Sequence, residues 1–99
     1  MTDTRDDGGE TVHAHLLIGG KVQAVGYRKS TQERAEELGV AGWVQNLTDG
    51  RVEAAFEGAD GDVEGLVEWC RDGPSRARVE SVDVEYEEVE GFDEFEIRR

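Results

Sequence analysis

Arg28 is the residue of this chain best placed to do chemistry on an anion. It closes the segment Gly19-Gly20-Lys21-Val22-Gln23-Ala24-Val25-Gly26-Tyr27-Arg28. A β-rich run enters that segment and a helical pattern leaves it. Such a loop can turn N–H groups inward, and the helix start adds its positive end. A guanidinium can then grip two oxygens of a tetrahedral dianion. Taken alone, Arg28 would read as a surface cation at a helix start, a mildly unfavourable place for positive charge. His13 and His15 share one face of a strand, as two metal ligands would. No cysteine, third histidine or positioned acid completes a set in the sequence. The pair therefore reads as solvent- or helix-facing strand residues, and no metal is expected. Cys70 falls on an apolar helical stripe and reads as a small core side chain. Trp43 and Trp69 read as packing residues.

An anion seat is unexpected in so acidic a chain. The 99 residues carry 24 acids against 11 bases, a net charge of −13, which argues against nucleic acid and anionic membrane surfaces as partners. No apolar run approaches the length of a membrane span. Only two of the bases are lysines, Lys21 and Lys29. Abundant acid with scarce lysine resembles proteins from organisms with a high-salt cytoplasm. In ~1 M salt the Debye length is about 3 Å, so surface self-repulsion is screened and the melting temperature is expected to rise with salt. A melt equally stable in dilute buffer and in molar salt would contradict that. A single cysteine excludes an internal disulfide and fits a reducing, cytoplasmic setting. The acid-rich surface favours a monomer.

The elements that must position Arg28 follow from periodicity. Residues 1–10 are polar and acidic, lack a signal-peptide pattern and read as a disordered tail. Residues 11–99 read as a single domain with a small core, since only 36% of the chain is hydrophobic. Val12, Ala14, Leu16 and Ile18 alternate in a first strand that Gly19 and Gly20 are expected to end. From about Val25 to Leu38 the pattern is helical, with Tyr27, Thr31, Ala35 and Leu38 on one stripe and Gly39 as the C-terminal stop. Val40 to Asn46 is a second strand, Asp49-Gly50 a hairpin turn, and Val52, Ala54 and Phe56 the inward face of a third strand. Asp60 is expected to cap a helix whose buried face is Val63, Leu66, Val67 and Cys70, with Gly73-Pro74 stopping it. Val82, Val84 and Tyr86 mark a fourth strand, Phe95 and Ile97 a short fifth. The order βαββαβ plus a terminal strand predicts a ferredoxin-like α+β sandwich, with two helices on one face of a mostly antiparallel sheet.

Three stretches together resemble the acylphosphatase family. They are Val22-Gln23-Ala24-Val25-Gly26-Tyr27-Arg28, Leu38-Gly39-Val40-Ala41-Gly42-Trp43-Val44-Gln45-Asn46 and Asp49-Gly50-Arg51-Val52-Glu53. Trp69, Gly73-Pro74, Ala77, Val79, Phe95, Ile97 and Arg98 extend the likeness, which covers nearly everything from His13 onward. The family hydrolyses acyl phosphates to carboxylate and inorganic phosphate without a metal or other cofactor. The resemblance therefore implies a small-molecule acyl phosphate as substrate. By position it makes Arg28 the phosphate-binding arginine and Asn46 the residue that places the attacking water. Gly20, Lys21, Val22, Gln23, Ala24, Val25, Gly26 and Tyr27, with Arg28, become the phosphate cradle. The chemistry is consistent: a carboxylate leaves without a strong general acid, so positioning and electrostatics suffice. An amide such as that of Asn46 can both accept from and donate to a water.

Two positions depart from the family's pattern. Ala24 stands where the family commonly has glycine. If that position needs φ > 0, alanine costs roughly 1–2 kcal/mol. Leu47 follows Asn46 and has no hydroxyl to hold the amide, so such support must come from elsewhere. The rival reading is a non-catalytic phosphate- or partner-binding module on the same fold. Retention of both Arg28 and Asn46 favours the enzyme, because a pure binder needs only the arginine.

Overall fold

Ala14, Leu16 and Ile18 of the first strand are fully buried, and the sheet is organised around them. The computed structural model describes residues 10–99. The elements are β1 (Thr11–Lys21), α1 (Tyr27–Leu38), β2 (Ala41–Asn46), β3 (Val52–Ala59), α2 (Asp60–Asp72), β4 (Arg78–Glu87) and β5 (Phe95–Arg98). They form one five-stranded sheet in the order β4-β1-β3-β2-β5. All neighbours are antiparallel except β2 and β5, which run parallel. Both helices pack on the face that carries Ala14, Leu16, Ile18, Val44, Val52, Ala54 and Phe56, where Tyr27, Ala35, Val63, Leu66 and Cys70 complete the core. This is the expected ferredoxin-like sandwich.

Several boundaries differ from the sequence reading, each for a local reason. Gly19 and Gly20 do not end β1. The strand continues to Lys21 through a register shift between the two glycines, so they form a bulge against β4. Gly20 has φ 120°, and a Cβ there would lie 2.2 Å from the carbonyl oxygen of Arg78. α1 begins at Tyr27 rather than Val25 because Gly26 is left-handed, at φ 79°. Asp60 does not cap α2. Ala59 is the flanking residue, without a side-chain cap, while Asp60 and Asp62 lie in the first turn, where negative charge suits the helix dipole. The proposed tail lies outside the described residues except for Glu10, whose carbonyl accepts from the Asp60 N–H at 2.9 Å.

Neither histidine faces the helices, and of the two only His15, a quarter exposed, reaches solvent. Both lie on the sheet face away from the helices, and His13 is 2% exposed. Positioned acids do exist there, supplied by β3. Glu57 is directly opposite His13 in the register, with Nδ1 of His13 2.7 Å from its carboxylate. Glu53 takes Nε2 of His15, also at 2.7 Å. Cross-strand pairing that one-dimensional spacing does not reveal made these partners. Glu57 also accepts from the backbone N–H groups of Glu90, Gly91 and Phe92, in the connection between β4 and β5. Burial alone would raise the pKa of Glu57, but these donors outweigh it and hold the group at about 2. Among the described residues no group of three or more His, Cys, Asp or Glu side chains is arranged to hold a metal ion. No described helix is long and apolar enough to cross a membrane.

Candidate active site

Register brings the ends of β1 and β2 to one level. Ile18 pairs with Val52, and Val52 pairs with Asn46. Side chains alternate along a strand, so Asn46 points to the same face as buried Val44, the helix side. β5 runs beside β2 with Ile97 opposite Val44, which carries Ile97 and then Arg99 to that face too. The loop between β1 and α1 crosses this end of the sheet. A hollow of about 190 Å³ opens there. Val22, Ala24 and Gly26 line it from the loop, and Tyr27, Arg28 and Lys29 from the first turn of α1. Asn46 lines it from β2, Ile97 from β5, and Arg99 from just beyond β5. It is smaller than the roughly 300–1,000 Å³ of a drug-sized pocket, so it suits a small head group.

The electrostatics favour an anion. α1 has neither a side-chain cap nor an acid in its first turn, in a chain rich in acids. Its first intrahelical bond runs from the Ser30 N–H to the Gly26 carbonyl, at 3.0 Å. The N–H groups of Tyr27, Arg28 and Lys29 therefore precede the helix ladder and lie at the hollow. Two cations, Arg28 and Lys29, stand at the positive helix end, a placement that is unfavourable until an anion joins them. Arg99 adds a third cation to the lining, and no acid or histidine lines it among the described residues. The guanidinium of Arg28 makes, among the described residues, one long hydrogen bond, Nη1 donating to the carbonyl of Arg98 at 3.3 Å. Among the described residues no carboxylate forms an ion pair with it. Lys29 is an exposed side chain with a loose contact to Glu33 at 4.0 Å.

The loop achieves its turn with two left-handed residues, Ala24 at φ 64° and Gly26 at φ 79°. The position that departs from the family pattern thus does need φ > 0, and alanine there carries roughly 1–2 kcal/mol of strain. Gln23 turns its side chain away from the hollow and donates to the carbonyls of Leu47 at 2.7 Å and Arg51 at 2.9 Å. Gly20 and Lys21 remain in β1, paired with Val79 and Arg78, and Val25 is buried in the core. None of these four lines the hollow. Tyr27 does, but its hydroxyl donates to the Cys70 carbonyl at 2.6 Å. Burial first, and Cys70 second, push the phenol far above its ordinary pKa. Burial likewise pushes the Cys70 thiol up to about 12. Neither group is available as an acid or base near neutrality. Lys29, Ile97 and Arg99 were not among the sequence-derived site residues. Lys29 had adjacency to Arg28 as its signal, and Ile97 and Arg99 had only the alternation 95, 97, 99, which needs the β2–β5 pairing to become meaningful.

An uncapped helix start, an arginine that pairs with no carboxylate among the described residues and an amide side chain meet at one small hollow on a ferredoxin-like sandwich. The acylphosphatase family model matches residues 14–97. A protein named acylphosphatase from Haloarcula marismortui is 59% identical over 85 residues, covering 86% of this chain and 93% of that one. Another so named, from Haloquadratum walsbyi, is 50% identical over 99 residues and the full length of both chains. The solved structure of an acylphosphatase from Coxiella burnetii superposes with a TM-score of 0.88 at 36% identity, covering 96% of this chain and 100% of that one. The chain belongs to the acylphosphatase family.

Proposed function

We propose that this chain hydrolyses acyl phosphates to a carboxylate and inorganic phosphate, with Arg28 and the start of α1 holding the phosphoryl group and Asn46 placing the attacking water. The observation that carries this reading is the shared hollow: Arg28 and Asn46, from different elements, line the same 190 Å³ space. Arg28 grips two phosphoryl oxygens, which a lysine cannot copy. The N–H groups at the start of α1 stabilise charge on the equatorial oxygens. Asn46 accepts one hydrogen of the water and aims its oxygen in line with the leaving carboxylate. A water oxygen–phosphorus bond forms as the phosphorus–acyl oxygen bond breaks. No side-chain base is assigned, because no acid or histidine lines the hollow among the described residues. The proton passes to a phosphoryl oxygen of the substrate. At about 190 Å³ the hollow holds the phosphoryl head and leaves the acyl group toward solvent, so several acyl parts are accepted.

Hydrolysis of benzoyl phosphate by the purified protein, with and without chelator, tests the reading. Turnover unaffected by chelator is expected. Loss of turnover in chelator would overturn the metal-free mechanism. Phosphate binding without hydrolysis would convert the reading to a binding module. A monomer in the cytoplasm is the accompanying proposal, supported by the acid-rich surface and the single buried thiol.

A further inference from the structure

We propose that Gln23 is a positioning residue that couples the phosphate-holding loop to Asn46; this rests on the reading of Asn46 as the residue that places the water. The turn after Asn46 is closed by the Leu47 N–H donating to the Arg51 carbonyl at 2.8 Å, and the Gly50 N–H to the Leu47 carbonyl at 3.2 Å. Those same two carbonyls each receive a hydrogen from the Gln23 side chain, at 2.7 and 2.9 Å. Both partners are carbonyl oxygens, so only the amide nitrogen of Gln23 can make both contacts, and it uses both of its hydrogens. Gln23 is flanked by Val22 and Ala24, which line the hollow, and Leu47 adjoins Asn46, which lines it from the other side. One side-chain nitrogen thus spans the two halves of the site. Leu47 brings no hydroxyl to steady the amide of Asn46, and the Gln23 bridge fixes the backbone next to Asn46 instead. Its partially buried setting protects those bonds from competing water.

Phosphate contacts belong to Arg28 and the N–H groups at the start of α1, and water placement belongs to Asn46. Removing the bridge while keeping side-chain volume should therefore separate the two. The test compares wild type with Gln23→Met, which has similar length and no donor, and Gln23→Glu, whose carboxylate faces the two carbonyls. The readouts are kcat for benzoyl phosphate, the competitive inhibition constant of inorganic phosphate, and the thermal midpoint. Expected is a fall in kcat of about 10-fold in Gln23→Met, since small misplacements of a reacting group cost up to about 100-fold. Gln23→Glu should lose more. The phosphate constant should change less than about threefold, because Arg28 and the backbone donors are untouched. An unchanged kcat in the folded variant would overturn the proposal, even with a lower midpoint, because the bridge would then be a structural tie alone. A phosphate constant raised by the same factor as kcat falls would also overturn it, placing Gln23 in the cradle's own geometry. If neither variant folds, Gln23→Asn, which is polar but too short to reach, gives the same readouts. A wild type without turnover would overturn the proposed activity itself, a different result from wild-type turnover with unaffected Gln23 variants.

Discussion

Two polar clusters lie near opposite ends of the β1–β3 pair and on opposite faces of the sheet. At one end Glu57 meets His13 and three backbone N–H groups, nearly all its lone pairs are used, and it is 4% exposed. At the other end, Arg28 makes, among the described residues, one 3.3 Å contact to a carbonyl. Beside it the first N–H groups of α1 lack side-chain caps. The first cluster is closed and ties the β4–β5 connection to the sheet. The second is left open to something outside the chain. A satisfied buried carboxylate stabilises the fold, whereas an arginine that meets no counter-charge among the described residues, at a positive helix end, raises its energy until an anion arrives. On the proposed function, the difference separates residues that hold the molecule together from residues that wait for substrate. It should appear as a separation between variants that lose activity and variants that lose stability.

The largest effect is expected at the open end. Arg28→Ala should reduce turnover of benzoyl phosphate by about 10³-fold or more and weaken phosphate binding, with little change in thermal midpoint. A stability loss as large as that of a core variant would break the contrast. Asn46→Ala comes next. Turnover should fall about 100-fold while the phosphate inhibition constant stays within about threefold, since the amide acts on water. Comparable weakening of phosphate would move Asn46 into the anion seat.

The closed end should behave in the reverse sense. Glu57→Gln should cost about 2–3 kcal/mol of stability in denaturant unfolding and leave kcat of the folded protein nearly unchanged. Because the pKa of Glu57 falls from 4.5 to about 2 on folding, the unfolded chain takes up the proton first as pH drops. Its stabilisation is complete above pH 4.5 and is lost as pH falls toward 2, about 3 kcal/mol over that window. An acid-unfolding curve identical for wild type and Glu57→Gln would remove the closed cluster from the account. The smallest effect is at Ala24. Ala24→Gly should raise stability by about 0.5–1 kcal/mol through relief of the left-handed conformation, offset in part by greater freedom of the unfolded chain. Turnover should be unchanged, and a destabilised Ala24→Gly would contradict the strain.

What the sequence made legible was local. Alternation in Val12–Ile18 and the stripe Val63, Leu66, Val67 and Cys70 gave the core faces. The Gly-containing loop before Arg28 reads as an anion seat from residue types alone. What stayed hidden was set by partners far along the chain. Gly19 and Gly20 look like a strand end in isolation, and only the pairing of Gly20 with Val79 makes them a bulge. His13 has a partner only once β3 lies beside β1 and sets Glu57 opposite it. Arg99 joins the site because β5 pairs in parallel with β2, a contact between residues about fifty positions apart. Neither local propensity nor periodicity encodes that pairing. Gln23 was readable as a member of the phosphate loop, but its bridge to the hairpin turn depends on two backbone carbonyls, which leave no trace in side-chain identity.

The most direct measurement is single-turnover hydrolysis of benzoyl phosphate by the wild-type protein in ¹⁸O-enriched water, with the products separated and weighed by mass spectrometry. Water aimed at phosphorus by Asn46, over a phosphoryl group gripped by Arg28, puts the label in inorganic phosphate and leaves benzoate unlabelled. Label in benzoate would mean attack at the acyl carbon, and the roles given to both residues would be wrong.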